Sequence, residues 1–200
     1  MRVILFDLGD TLEQETPEHQ DVLLPGALEM LAAIQSLRDP DNAAPALALL
    51  SDFDDQESTG SIAGTPAQVK VFRKQYVKLV EDLKLLSFFE PRQQRITLSI
   101  EAGVRKPDQK IFRAAIDKIS PGLQFHHTLF VTENAIHIAA ASKLGMMAIQ
   151  FNGSGQGAGS VSSLIELVPL VEGWLKVSPS DKKSANAKGH VSGIAQKSKS

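Results

Sequence analysis

Four side chains with the chemistry of a reaction centre are spread along this sequence, and each follows a segment rich in apolar residues. They are Asp7, Ser51, Lys106 and Glu133. An attacking carboxylate, a hydroxyl and an ammonium that hold oxygen atoms, and a further carboxylate are the groups that phosphoryl transfer needs, because that reaction depends on positioning and on neutralisation of charge. Asp10 adds another carboxyl group near the first. The pattern therefore predicts a site for phosphoryl chemistry, provided that the fold brings these segments together.

Segments of strand length that are rich in apolar residues end at or just before three of these positions. They comprise residues 3–6, 46–50 and 127–131. Continuous apolar runs are typical of strands that are buried on both faces of a parallel sheet, and segments with helical periodicity lie between them. The alternation predicts a single Rossmann-like α/β domain whose mainly parallel sheet is flanked by helices. Ligands of such sheets bind beyond the carboxyl ends of the strands, so we expect the four side chains at one site.

The remaining segments predict further elements. Apolar residues recur at helical spacing in the segments 28–37, 66–83, 107–119 and 136–144. Short apolar runs predict strands at 95–98 and 147–151, while 13–20, 56–65 and 152–160 are expected to be loops. In the helix at 136–144 the predicted buried stripe is Ile136, Ala140 and Leu144. Pro107 is expected in the first turn of its helix and Pro169 as a helix interruption.

Length and composition limit the class of protein. The 200 residues, 42% of them apolar, are enough for one core, which we place at residues 1–176, followed by a disordered Ser/Lys-rich tail at 177–200. A net charge of -2 gives no general attraction to nucleic acid, and cysteine is absent, which excludes thiolate chemistry. No apolar run is long enough to span a membrane. These features predict a cytoplasmic protein that binds neither nucleic acid nor membrane and whose oligomeric state is unknown.

Four stretches, in order, resemble the motifs of the haloacid dehalogenase-like (HAD) hydrolase superfamily. They are Phe6–Leu12, Leu50–Asp52, Gly103–Asp108 with Ile111 and Phe112, and Phe130–Asn134 with Leu144–Met146. The resemblance covers roughly residues 2 to 170. It implies the HAD-like fold and, as in most members of that superfamily, a magnesium-dependent phosphatase.

The resemblance also implies a role for each candidate residue. Asp7 would attack phosphorus and form an aspartyl phosphate, while Ser51 and Lys106 would hold the transferring oxygens. Mg²⁺ would bind Asp7, the backbone carbonyl of Gly9 and the side chain of Glu133. The substrate would be a phosphorylated small molecule or macromolecule.

One departure from the family pattern concerns proton transfer. Phosphatases of this superfamily usually carry an aspartate two residues after the nucleophile, and it protonates the leaving oxygen; here that position is Gly9. Loss of a general acid typically costs a factor of about 10² to 10⁴. Asp10 is the first substitute to consider, acting through a water molecule, although the favoured role for this residue is a turn carboxylate that bonds its own backbone. More remote substitutes are Asp52, Asp54 and Asp55.

A second departure lies in the fourth motif. Thr132 and Glu133 stand where two acidic residues are common, which predicts weaker magnesium binding. His137 follows one helical turn later and is interpreted as a surface or capping histidine, because magnesium prefers oxygen ligands.

The spacing of the motifs and these departures leave alternatives open. The short connection between the first and second motifs has no room for a helical cap, which predicts an open site. The leading hypothesis is a magnesium-dependent phosphatase. A catalytically silent HAD fold that binds a phosphorylated ligand or partner is the main alternative, because Gly9 replaces the usual acid. Dehalogenation by Asp7 is a third reading, but that reaction favours an enclosing cap.

Overall fold

The computed structural model describes residues 1–54, 62–153 and 157–177. The strands, in chain order, are β1 (Val3–Phe6), β2 (Glu13–Glu15), β3 (Asp21–Leu23), β4 (Ala46–Ser51), β5 (Ile96–Leu98), β6 (Thr128–Thr132), β7 (Met147–Phe151) and β8 (Gly159–Val161). The α-helices are α1 (Ala27–Ser36), α2 (Pro66–Asp82), α3 (Arg92–Arg95), α4 (Ser99–Ala102), α5 (Gln109–Ile119), α6 (Ala135–Lys143) and α7 (Leu167–Lys176). Short 3₁₀ turns lie at Leu86–Phe89, Phe125–His127 and Leu164–Glu166.

Six of the described strands form one parallel sheet in the order β5-β4-β1-β6-β7-β8, which confirms the predicted α/β class. β1 lies at the centre, and its last residue, Phe6, is paired with Leu49 of β4 and Val131 of β6. The carboxyl ends of these three strands are therefore nearly level. Polar residues that follow the strands consequently meet at one edge of the sheet.

Both faces of the sheet are buried under helices, which explains the unbroken apolar runs of its strands. Ile4 and Phe6 point to one face, where α1, α2 and α7 pack. Val3 and Leu5 point to the other, where α5 and α6 pack. Because successive side chains of a strand alternate between faces, a strand buried on both faces has no polar positions in its sequence.

The structure corrects two predicted loops. The polar segment after the first motif forms an antiparallel hairpin from β2 and β3. It lies outside the main sheet and is largely exposed, so its sequence lacks the apolar alternation that marks a half-buried strand. The glycine-rich segment at 152–160 contributes β8, which pairs with β7 at the sheet edge through backbone groups and needs no apolar run. Residues 7–45 contain the hairpin and α1 and no helical cap, as predicted.

The two prolines also lie differently from the predictions. α5 begins at Gln109 and is capped by Asp108, so Pro107 precedes the helix rather than lying in its first turn. Pro169 lies in the first turn of α7, where a backbone N–H has no intrahelical partner, and the helix continues through it. The predicted loop at 56–65 falls largely, and the predicted tail beyond Val177 entirely, outside the described residues. No described helix is long and apolar enough to cross a membrane.

The predicted buried stripe of α6 is wrong at Ile136, whereas Leu144 is partly buried against the core as predicted. Ile138 and Ala141 are fully buried, whereas Ile136 is 67% exposed. Six of the nine residues of this short helix are apolar, so more than one stripe has helical spacing and the sequence does not select the buried one. The side chain of Asn134 caps the first turn, and packing on the sheet then selects the face.

Two isoleucines of α6 provide a matched test of this face. We expect Ile138→Ala to lower the free energy of unfolding by about 2–5 kcal/mol, because it leaves a cavity in the core. Ile136→Ala should change it by less than about 0.5 kcal/mol, since that side chain is exposed. Urea unfolding of both variants measures the difference, and equal losses would contradict the observed orientation of α6.

Candidate active site

The carboxyl ends of β1, β4 and β6 border a cavity of about 530 Å³. All the residues predicted for the site line it, namely Asp7, Gly9, Asp10, Ser51, Lys106 and Glu133. The sheet edge therefore brings the four motifs together, as the strand-end pattern predicts. Different contacts hold each of these side chains in place.

Asp7 is held rigidly at the end of β1. Its backbone N–H continues the strand pairing by donating to the carbonyl of Val131 at 3.0 Å. Its Oδ1 accepts the N–H of Leu8 at 3.1 Å, and its Oδ2 accepts the hydroxyl of Thr132 at 3.1 Å. The Nζ of Lys106 lies 2.8 Å from the same Oδ2. A carboxylate so oriented presents its remaining lone pairs to the cavity.

Lys106 is a buried cation and not a solvated lysine at a helix start. Its Nζ donates to the carbonyl of Leu50 at 3.0 Å and contacts Asp7. Its backbone N–H donates to Oδ1 of Asp52 at 2.9 Å, while Oδ2 of Asp52 lies 3.9 Å from Nζ. The ammonium therefore links the ends of β1 and β4, and its charge balances a carboxylate removed from water.

A second charged cluster positions the loop that carries Lys106. Asp54 is buried and accepts hydrogen bonds from Arg105 and Ser99. The hydrogen bond from Arg105 is the main cause of a lowered pKa of Asp54. That carboxyl group is therefore ionised at neutral pH and engaged, which makes it unsuitable as the proton donor considered above. Asp55, another remote substitute, lies outside the described residues.

Ser51 is oriented by a residue that the sequence did not connect with the site. Its hydroxyl lies 2.6 Å from the hydroxyl of Tyr76, a fully buried residue of α2. Burial raises the pKa of Tyr76, so the phenol keeps its proton and can donate or accept in this pair. In the sequence Tyr76 belongs to the apolar stripe of α2, and nothing there distinguishes it from a core aromatic residue.

Glu133 and Asp7 share one hydroxyl group. Thr132 Oγ1 lies 3.0 Å from Oε2 of Glu133 and 3.1 Å from Oδ2 of Asp7. The hydroxyl of Thr11 also donates to Oε2 of Glu133, at 2.8 Å. Because a threonine hydroxyl has a single proton, it cannot donate fully to both carboxylates at once. Two carboxylates that converge on one donor are a suitable setting for a cation.

This donor set fits magnesium in part. Magnesium is commonly held by one or two carboxylates and keeps several of its water molecules, and Asp7 and Glu133 supply two carboxylates beside Gly9 in the cavity. Within the described ranges, no group of three or more histidine and acidic side chains is arranged to hold a metal. The site thus resembles the sparsely coordinated type rather than a dedicated protein cage.

The interpretation of His137 as a surface or capping residue is wrong. Its side chain lines the cavity, and its Nδ1 lies 4.0 Å from Oδ2 of Asp7. Burial, followed by the nearby charge of Lys106, lowers the pKa of His137, so the ring is neutral at pH 7. α6 starts directly after β6, and its first turn therefore overhangs the strand end. The spacing of four residues between Glu133 and His137 is the sequence feature from which this position could have been predicted.

Glu13 is a further site residue that sequence reasoning missed. The N–H groups of Thr11, Leu12 and Glu13 all point to the carbonyl of Leu8, so the chain turns sharply back after β1. Glu13 is only 7% exposed, and its Oε2 has no hydrogen-bond partner among the described residues. Burial is the main cause that raises its pKa to about 7, followed by the charges of neighbouring carboxylates. A glutamate in a polar segment gives no signal of this environment.

Asp10 also reaches the cavity but in a different setting. It has a positive φ of 54° at the tip of the turn and is exposed to solvent. A short polar side chain tolerates this left-handed conformation better than most others. Asp10 is thus at the rim, whereas Glu13 is inside.

Sequence comparison matches no family model and no curated protein. Comparison of folds, in contrast, finds solved structures. The HAD-hydrolase candidate YfnB from Bacillus subtilis, solved bound to magnesium, is 18% identical with a TM-score of 0.51, over 74% of this chain and 56% of that chain. L-2-haloacid dehalogenase from Xanthobacter autotrophicus is 13% identical with a TM-score of 0.58, over 86% of this chain and 99% of that chain. A β-phosphoglucomutase candidate from Thermotoga maritima is 11% identical with a TM-score of 0.61, over the same shares.

These structures have the HAD-like fold, and so does this chain, as its motifs predicted. The chain spans little more than half the length of YfnB. At identities this low the likeness concerns the fold alone. The named proteins differ in chemistry, so the reaction must be argued from the site.

Ser51 and Tyr76 allow a double-mutant cycle. We expect Ser51→Ala or Tyr76→Phe alone to lower the free energy of unfolding by about 1–3 kcal/mol, because each leaves a buried hydroxyl without its partner. The double variant should lose less than the sum, with a coupling of roughly 0.5–3 kcal/mol. Urea unfolding measures all four proteins. Strict additivity would show that the two hydroxyls do not interact.

Glu13 should make stability depend on pH. Its folded pKa of about 7 exceeds the ordinary value of 4.5, so the folded state binds the proton more tightly than the unfolded state. The carboxyl group therefore adds no penalty below pH 4.5; a penalty grows as pH rises from 4.5 to about 7 and is complete above that value. Glu13→Gln should leave stability nearly unchanged at pH 4.5 and raise it at pH 8 by about 1–2 kcal/mol, after allowance for solvent screening.

The matched control for this pH dependence is Glu18→Gln. Glu18 lies in the exposed turn of the same hairpin. Thermal unfolding of both variants at the two pH values is compared with that of the native chain. A gain for Glu13→Gln that does not change with pH would contradict the expected titration.

Proposed function

We propose that this protein is a magnesium-dependent phosphatase that hydrolyses phosphoric monoesters through an aspartyl phosphate on Asp7. The observation that carries the proposal is the Asp7 carboxylate at the end of β1, 2.8 Å from the buried ammonium of Lys106 and open to the cavity. Lys106 holds the nucleophile in position through this contact. An ionised carboxylate at the edge of an open cavity can approach phosphorus in line with the leaving oxygen.

The other residues have complementary roles in this proposal. Ser51 donates to an oxygen of the transferring phosphoryl group while Tyr76 holds its hydroxyl, and Lys106 offsets negative charge on another oxygen. Asp7 and Glu133, with the carbonyl of Gly9, would hold Mg²⁺. The ion would supply positive charge that brings the phosphate dianion to a carboxylate-rich site. The magnesium bound to YfnB supports this choice of cation.

The substrate is proposed to be a phosphorylated small molecule or macromolecule. Between β1 and β4, the turn at residues 7–10 and the hairpin of β2 and β3 border the cavity, and Glu15 and Asp21 of that hairpin line it. A short hairpin covers one side of the cavity without enclosing it. Large phosphorylated substrates can therefore reach Asp7.

A second candidate function is a binding protein with the HAD-like fold and no turnover. Gly9 favours this alternative, because it brings no side chain to the position that follows the nucleophile by two residues. The dehalogenase reading is less well supported, since residues 7–45 contain no enclosing helical cap.

The test is hydrolysis of p-nitrophenyl phosphate with and without Mg²⁺. We expect magnesium-dependent turnover by the native chain and a loss of at least about 10³-fold in Asp7→Asn, because the amide is a poor nucleophile. Asp41→Asn is the matched control; Asp41 is exposed and lies before β4, at the opposite edge of the sheet. It should retain native activity.

Two outcomes would contradict the phosphatase proposal. One is turnover by Asp7→Asn at the native rate, which would place the reaction elsewhere. The other is no turnover by a native chain that circular dichroism shows to be folded. The second outcome would favour the binding protein.

A further inference from the structure

Displacement at a phosphoric monoester leaves a negative charge on the departing oxygen. Alkyl leaving groups need a proton at that moment, whereas activated aryl groups depart without one. If Asp7 is the nucleophile, as proposed above, some group in the cavity must supply that proton for ordinary esters. Gly9 has no side chain to do so.

We propose that Glu13 is the proton donor to the leaving oxygen and the acceptor of a proton from the water molecule that completes the reaction. This inference rests on the proposed phosphatase function and adds a catalytic residue to it. No motif of the sequence includes Glu13. The role assigned to Glu13 depends on the position that this residue reaches after the sharp turn that follows β1.

The first support is the position of the carboxyl group. A Cβ atom added at Gly9 would lie 3.5 Å from Oε1 of Glu13. The carboxyl group thus occupies the space into which a side chain at residue 9 would extend. The convergence of three backbone N–H groups on the carbonyl of Leu8 determines this placement, so it does not rely on a flexible side chain alone.

The second support is that this carboxyl group is available. Oε2 of Glu13 is buried and has no hydrogen-bond partner in the described parts of the chain, and the side chain lines the cavity. An unpaired buried oxygen is costly unless a proton or a ligand satisfies it. A departing alkoxide oxygen would provide such a partner.

The other acidic residues near the cavity are less suitable. Asp52 accepts the backbone N–H of Lys106, and Asp54 is bound to Arg105. Glu133 is bound by threonine hydroxyls. Asp10 is exposed at the tip of the turn, and Glu15 and Asp21 of the hairpin are exposed as well. Among the carboxyl groups described at this cavity, Glu13 combines burial with an unpaired oxygen.

The reaction balances with this assignment. Asp7 forms a bond to phosphorus while the bond from phosphorus to the ester oxygen breaks, and the proton of Glu13 moves to that oxygen to release an alcohol. A water molecule then attacks the aspartyl phosphate and gives a proton to the Glu13 carboxylate. Inorganic phosphate leaves, and Asp7 and protonated Glu13 are restored.

The test compares two esters, p-nitrophenyl phosphate and glycerol 2-phosphate, in Glu13→Gln. We expect kcat/KM for glycerol 2-phosphate to fall by about 10²- to 10³-fold and that for p-nitrophenyl phosphate by less than about 10-fold. The nitrophenolate leaving group needs no proton, and kcat/KM reports the steps up to its departure. Rapid mixing of Glu13→Gln with the aryl ester should also show a burst of about one nitrophenolate per protein. The attack of water on the aspartyl phosphate is slow in this variant, because the Glu13 carboxylate that accepts the proton of that water is absent.

Matched variants separate Glu13 from its neighbours. Glu18→Gln, in the exposed turn of the hairpin, should retain native values on both esters. Asp7→Asn should lose activity on both esters, which separates loss of the nucleophile from loss of the general acid. Asp10→Asn should not show the selective loss on the alkyl ester.

Several results would overturn the inference while leaving the phosphatase intact. They are equal losses on both esters in Glu13→Gln, a selective loss on the alkyl ester only in Asp10→Asn, and a native chain that hydrolyses the aryl ester alone. No turnover of either ester by the folded native chain would overturn the proposed function, and this inference with it.

Discussion

The buried ion pair between Lys106 and Asp7 is the interaction on which the rest of the site depends. Removing two charges from water is costly, and only close contact with further hydrogen bonds compensates. Here the carbonyl of Leu50 and the side chain of Asp52 complete the surroundings of Lys106. The pair therefore requires the ends of β1 and β4 and the loop before α5 to converge. A parallel sheet with β1 at its centre meets that requirement.

The excess of carboxylates around one ammonium sets the electrostatics of the cavity. Asp7 and Glu133 converge on the hydroxyl of Thr132, while Glu13 is buried nearby with a raised pKa. Like charges in a confined space are relieved by a proton or by a cation. Phosphoryl transfer uses both a cation and a proton, since the phosphate dianion needs positive charge and the leaving oxygen needs a proton. The same imbalance thus supports both proposals.

The hairpin of β2 and β3 determines access to this chemistry. It is short, polar and paired only with itself among the described strands, so it adds little to the core. Its first residue is nevertheless Glu13, which enters the cavity because the chain turns back at Leu8. A segment with almost no apolar signal therefore contributes both the rim of the site and its unpaired carboxyl group.

The sheet, the strand ends and the meeting of four side chains could be predicted from the amino-acid sequence; these side chains are Asp7, Ser51, Lys106 and Glu133. Those features follow from apolar runs that stop at polar residues, a signal contained in consecutive residues. Tertiary packing determines the positions of Glu13, Tyr76 and His137, which approach the site through a sharp turn, a helix packed on the sheet and a helix that overhangs a strand end. It also chose the buried face of α6, because several apolar stripes had helical spacing. Contacts between distant segments depend on packing, which no local pattern encodes.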